Sequence, residues 1–112
     1  MSAIRNRVSL IGRLGKDPET KAFDNGRQKT SFSLATTEVY KKDGEKQEVT
    51  QWHNVVMWGS IAKTAAEYLS KGQEVALEGK LTYRNYDDKE GNTRYITEVV
   101  VNDMAMLGKK AS

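Results

Sequence analysis

The sequence predicts an all-β fold with one helix, a five-stranded Greek-key barrel whose helix lies between the third and fourth strands. Three observations carry this. Five segments alternate apolar and polar residues with the two-residue period of a strand. A single segment, Ser60 to Lys71, has helical spacing instead. The turn-forming residues, Pro18 and the pairs Asn25-Gly26 and Asp43-Gly44, fall between the alternating segments and not within them.

The first strand, about Arg5 to Leu14, sets Val8, Leu10, Gly12 and Leu14 against Arg7, Ser9, Ile11 and Arg13. Gly12 marks a bulge or a close backbone approach. Gly15 to Arg27 reads as a loop because it holds the only proline and Asn25-Gly26. Strand two, roughly Lys29 to Tyr40, carries Phe32 and Leu34 among serines and threonines. A charged connector, Lys41 to Glu48, turns at Asp43-Gly44 and leads into strand three as a long hairpin. In strand three, Thr50 to Gly59, the period puts Trp52, Asn54, Val56 and Trp58 on one face and His53, Val55 and Met57 on the other. At about 3.3 Å per residue the two tryptophans stand about 20 Å apart, a spacing suited to an extended ligand.

In Ser60 to Lys71, Ile61, Ala65, Tyr68 and Leu69 share one helical face, with Ser60 as the expected N-cap and Gly72 as the stop. Alternation resumes from Glu74 to Tyr86. Val75, Leu77, Gly79, Leu81 and Tyr83 face one way and Lys80, Thr82, Arg84 and Tyr86 the other. A hairpin loop at Asp87 to Thr93 precedes the last strand, about Arg94 to Leu107. Three strands, a helix and two strands is the order of an OB-type barrel, in which the helix plugs one end. A sandwich needs more strands. An RNA-recognition βαββαβ fold needs a helix after strand one, where Pro18 and Asn25-Gly26 stand instead.

At 112 residues the chain is one domain, expected over 1–108 with a short basic end at 109–112. The formal charge of +3 permits a polyanionic partner without requiring one. With no cysteine there is no disulfide, no thiolate site and no cysteine nucleophile, which suits a reducing compartment. The N-terminus lacks the apolar stretch of a signal peptide, and no segment has the length of a membrane span. The expectation is a cytoplasmic, nucleoid-associated protein.

Tyr40, Trp52, Trp58 and Tyr86 stand in strands beside cationic or amide side chains. Each taken alone is as well explained by a core or subunit contact as by a ligand. Taken together they point to a ligand or partner face, because the opposite faces already hold Val55, Met57, Val75, Leu77 and Leu81, enough for the core. Exposed aromatics on strands stack on bases without regard to sequence. Lys41, Lys42, Lys71, Lys80 and Arg84 lie among them and suit a phosphate backbone, although each lysine alone is also an ordinary solvated residue. His53, the only histidine, faces inward and reads as a hydrogen-bonded core or interface residue and not as a metal ligand or a base. No metal, cofactor or catalytic constellation is expected: there is no nucleophile motif and no phosphate loop, and Asp87, Asp88 and Glu90 read as a solvated turn. Gly12-Arg13-Leu14-Gly15 matches the G-x-x-G of KH domains, but at the end of a strand the turn reading prevails.

The stretches VSLIGRLGKDPE, SFSLATTEVY, TQWHNVVMWGSIAKTAAEYLSKGQEVALEGKL and TRYITEVVVNDMAMLG resemble, in order and spacing, the bacterial single-stranded DNA-binding proteins of the OB fold. The resemblance covers about Val8 to Leu107. It implies base stacking at Tyr40, Trp52, Trp58 and Tyr86, with cationic or polar contacts at Lys41, Asn54, Lys71 and Arg84, to which the strand pattern adds Lys80. The family often has tryptophan where Tyr40 and Tyr86 stand and phenylalanine where Trp58 stands. It further implies homotetramers built from dimers that pair through their first strands.

Family members usually continue into a flexible tail with an acidic tip that recruits replication and repair enzymes. This chain stops at Leu107-Gly108-Lys109-Lys110-Ala111-Ser112, so recruitment is not carried over. The function expected is non-catalytic, largely sequence-independent binding and protection of single-stranded DNA during replication, recombination or repair. The alternative is an OB-fold protein-interaction subunit, of primosome or assembly type.

Overall fold

The structure is a computed structural model that describes residues 4–108; the basic end expected at 109–112 lies outside the described residues. The elements run β1 Val8–Leu14, β2 Glu19–Ala22, β3 Gln28–Lys42, β4 Glu45–Trp58, α1 Ser60–Tyr68, β5 Glu74–Asp87 and β6 Thr93–Leu107. Strand alternation becomes a wall with one dry face. On β3, Thr30, Phe32 and Leu34 are buried in turn, and on β5 Val75 and Leu77. Leu34, Val55, Met57 and Val75 are essentially inaccessible, each contributing about 1.5–3 kcal/mol by leaving water.

The strand order β1-β5-β6-β4-β3 closes on itself through a β1–β3 contact, giving the five-stranded barrel expected from the sequence. All pairs are antiparallel except β4–β6, which is parallel and only three residue pairs long, from Asn54↔Glu98 to Val56↔Val100. Closure is tight where β1 passes β3. A Cβ on Gly12 would lie 2.2 Å from the Ala35 carbonyl oxygen, so Gly12 is a close approach and not a bulge. The bulge lies instead between Glu78 and Gly79 in the β5–β6 pair.

Four expectations change. The stretch Gly15 to Arg27 is not all loop: Glu19–Ala22 pairs with Gln28–Ser31 as a sixth strand, returning through Asn25-Gly26. The charged connector Lys41 to Glu48 is strand up to the turn, since Lys42 pairs directly with Glu45. Asp43 and Gly44 both take positive φ, 53° and 81°, the conformation a two-residue hairpin turn needs. The helix ends at Tyr68, with Gly59 and not Ser60 in the N-cap position and no side-chain cap. Its buried positions are Ala62 and Ala65, while Tyr68 is exposed. The Thr30 hydroxyl donates to the Ala62 carbonyl at 2.8 Å, which fixes the helix across the barrel end. Gly72 closes the chain back on β1 by donating to Leu14 O, and so directs β5 rather than capping the helix.

Tyr83 is the fourth correction. Its parity matches Leu81, yet it is 73% exposed. The β5–β6 ladder extends past the core to Asp87↔Thr93, and the β3–β4 ladder to Lys42↔Glu45, so both hairpins project as arms with two wet faces. Parity cannot bury a side chain beyond the end of the core.

Candidate nucleic-acid interface

The outer face of the barrel is assembled by register. On β3 and β4, Lys29 opposes Trp58, Ser31 opposes Val56, Ser33 opposes Asn54 and Ala35 opposes Trp52, so small polar residues form a floor beside an aromatic at each end. On β5 and β6, Thr82 opposes Glu98, Arg84 opposes Ile96 and Tyr86 opposes Arg94, continuing the same face. An open groove of about 290 Å³ runs across it, bordered by Lys16, Lys29, Ser33, Asn54, Arg84 and Glu98.

Trp52 is 61% exposed, and its ring tip lies over Gly15, where a Cβ would come within 2.5 Å of Trp52 Cζ3. Only glycine leaves that space. Trp58 is half-buried. Phe23 packs against it with centroids 5.7 Å apart, the Arg27 guanidinium lies 4.5 Å from its ring centroid and Lys29 Nζ 5.7 Å. Such cation–π contacts turn an aromatic platform into one already flanked by positive charge.

Tyr86 is half-exposed on the face of Arg84. The structure does not bring Tyr40 to the face of Trp52: Tyr40 pairs with Gln47, on the parity of Leu34 and His53, at the far end of the β3–β4 arm. Lys41 sits on that arm opposite Lys46, a like-charged pair. Lys80 is exposed on the outer face opposite Val100. Lys71 lies past the helix, its backbone N–H donating to Asp17 Oδ1 at 2.8 Å. Asn54 Nδ2 reaches Thr97 O at 3.4 Å, across the gap between β4 and β6.

Arg84 is held by Glu98 through two hydrogen bonds, and these bonds, followed by the charge attraction of Glu98, push its already high pKa further up. At the tip of the β5–β6 arm, Asp88 accepts from Arg94 Nε at 2.8 Å and from the backbone N–H groups of Glu90 and Asn92. The Arg94 bond first, then the Asn92 N–H, hold the Asp88 carboxyl below the usual carboxylate range. Inside the barrel mouth, His53 Nε2 stands 2.9 Å from the Thr36 hydroxyl, a hydrogen bond that serves the scaffold. Among the described residues no cluster of three or more metal-ligating side chains occurs.

Over residues 5–107 the chain matches the Single-strand binding protein family. It belongs to that family. Among its relatives, the Single-stranded DNA-binding protein 1 of Xylella fastidiosa (strain 9a5c) is 47% identical over 94% of this chain and 79% of its own. That of Chlorobaculum tepidum is 47% identical over 96% of this chain and 67% of its own. For the Single-stranded DNA-binding protein of Xanthomonas axonopodis pv. citri the identity is again 47%, and the chain spans 58% of that relative's length. The solved structure described as "Plasmodium falciparum SSB complex with ssDNA" superposes with a TM-score of 0.85 at 30% identity, covering 96% of this chain and 99% of that one.

Four side chains at or near the interface are not marked by strand pattern or motif in the sequence. Arg27 and Lys29 sit at the start of β3 and meet Trp58 only through the β3–β4 register; a complete pairing of the hairpin from Asp43-Gly44 backwards would have found Lys29. Lys16 borders the groove from the β1–β2 connection, with no signal in strand parity. Tyr95, 79% exposed, lies on the β5–β6 arm, and its aromatic type inside a polar stretch was the available cue.

Proposed function

We infer that the chain binds single-stranded DNA without catalysis and with little sequence preference, by stacking bases on Trp52, Trp58 and Tyr86 while cations track the backbone. The observation that carries this reading is the shared outer face of Trp52 and Trp58, with the Ser31, Ser33 and Asn54 floor between them and Arg27 and Lys29 at one end. Stacking of this kind is worth about 1–3 kcal/mol per base and tolerates any base. Tyr40, Lys41, Lys71, Lys80 and Arg84 serve as secondary contacts along a longer path, with Tyr40 and Lys41 engaged where the strand rounds the β3–β4 arm. Family membership, and the solved relative described as a complex with ssDNA, support the reading.

Self-association belongs to the same proposal. One edge of β1 pairs with β5 over Val8 to Arg13, while on its other edge only Arg13 and Leu14 meet β3. Among the described residues that leaves Val8 to Gly12 with an unpaired edge, and Ile11 beside it is 61% exposed. A second copy pairing through β1 covers both, as a dimer from which a tetramer is built.

The test is the pair of variants Trp52→Ala and Trp58→Ala, assayed for oligo-dT affinity and for mass by sedimentation. Loss of affinity at unchanged mass supports the reading. Dissociation of the oligomer with affinity intact replaces it with a protein-interaction subunit.

A further inference from the structure

The two projecting arms meet at the parallel contact between Asn54–Val56 and Glu98–Val100 and diverge from there. The opposite edge of β4 is fully occupied by β3, and the opposite edge of β6 by β5. The facing edges, 45–53 of β4 and 93–97 of β6, therefore pair with no strand among the described residues. Between them lies a cleft of about 270 Å³ lined by Trp52, His53, Asn54, Tyr95, Ile96 and Thr97 among others. One lip bears Trp52, 61% exposed, and the other Tyr95, 79% exposed.

We propose that this cleft takes one nucleobase of the bound strand, turned out of the outer-face path and held between the Trp52 and Tyr95 lips. The proposal rests on the single-stranded DNA reading above and names a base site additional to it. The chemistry of the lining matches a base. Aromatic rings supply π-faces, and the unpaired strand edges supply backbone N–H and C=O groups, which must otherwise be satisfied by water. The Asn54 amide, already aimed at Thr97 O, supplies one more donor and acceptor. The free β4 edge is long enough for a partner's β-strand, but the cleft narrows to closure at Asn54↔Glu98, which suits a flat, short group.

Tyr95 lies outside the core, so its replacement should leave the fold in place, and thermal melting of the variant checks this. With oligo-dT at fixed salt, Tyr95→Ala is expected to weaken binding about five-fold or more, and Tyr95→Phe to stay within about two-fold of the parent. Ultraviolet cross-linking of an oligonucleotide carrying 5-iodouracil, followed by peptide mapping of the parent protein, is expected to give adducts on Tyr95 as well as on Trp52 and Trp58. Unchanged affinity in Tyr95→Ala, or adducts confined to the tryptophans, overturns the cleft site while leaving the outer-face reading standing. A changed sedimentation mass in Tyr95→Ala with DNA affinity per subunit retained assigns the cleft to a subunit contact and overturns it equally. If the parent protein fails to bind oligo-dT at all, the underlying reading falls first.

Discussion

Arg84 and Glu98 form a bidentate pair, with Nε to Oε1 at 2.9 Å and Nη2 to Oε2 at 3.2 Å, at the edge of the outer-face groove. Glu98 is nearly buried while the Arg84 side chain is half-exposed. The pair thus presents a cation whose two best donors are already spent on a carboxylate. A phosphate reaching Arg84 competes with Glu98 for the guanidinium.

Glu98→Gln should therefore strengthen binding to single strands. The amide keeps an acceptor for Arg84 but removes the negative charge, so Arg84 counts as one further phosphate contact. The slope of log affinity against log salt should steepen by about 0.7. Titration of oligo-dT at several salt concentrations checks this, and melting of the variant reports what loss of the ion pair does to the barrel.

Two glycines separate stability from binding. Gly12→Ala places a Cβ against backbone, 2.2 Å from Ala35 O, and should destabilise the barrel by about 1–3 kcal/mol or more. Gly15→Ala places its Cβ against the tip of the Trp52 ring, 2.5 Å from Cζ3 and 2.9 Å from Cη2, with Ser33 Oγ at 3.1 Å. An exposed ring moves where backbone does not. Gly15→Ala should melt close to the parent yet show altered tryptophan emission and weaker DNA binding.

The strands and the barrel were legible because a two-residue period survives wherever one face is dry. β2 was not legible: Glu19-Thr20-Lys21-Ala22 has no apolar face, all four residues are exposed, and only pairing to β3 makes it a strand. Trp52, Asn54 and Trp58 were legible as one face for the same reason the core was. The separation of Tyr40 from them was legible as well, since Tyr40 shares the parity of Phe32 and Leu34 on its own strand; aromatic type and family resemblance, not parity, grouped it with Trp52. Tyr83 has the parity of Leu81 but lies where no core remains to receive it, whereas Tyr68 is exposed beside buried Ala65 and Leu69, at the edge of the helix's apolar stripe.

The Trp58 platform depends on its cations as much as on its ring. Arg27→Ala removes the guanidinium 4.5 Å from the ring centroid and should reduce affinity, with a shallower salt dependence. Trp58→Phe keeps a π-face and should retain more affinity than Trp58→Ala, for which a loss of about 5- to 150-fold follows from about 1–3 kcal/mol of stacking. Fluorescence anisotropy of labelled oligonucleotide ranks the three.

Acid should loosen the β5–β6 arm before the barrel. Asp88 has a folded pKa depressed by Arg94 and by the Asn92 N–H, so its contribution is present above the unfolded carboxylate value of about 3.9 and is lost as pH falls through the lower folded value. Protection of the Glu90 and Asn92 amides, whose N–H groups donate to Asp88 Oδ1, taken as exchange relative to the intrinsic rate at each pH, should hold down to about pH 4 and fall below it. In Asp88→Asn that protection should be weaker throughout and should not change over this range.

The central claim, that exposed tryptophans on one barrel face stack on a single strand, is tested most directly by their own emission. On addition of oligo-dT at low salt the fluorescence of Trp52 and Trp58 should be quenched to saturation and should recover as salt is raised. Emission that stays unchanged by oligo-dT even at the lowest salt would contradict it.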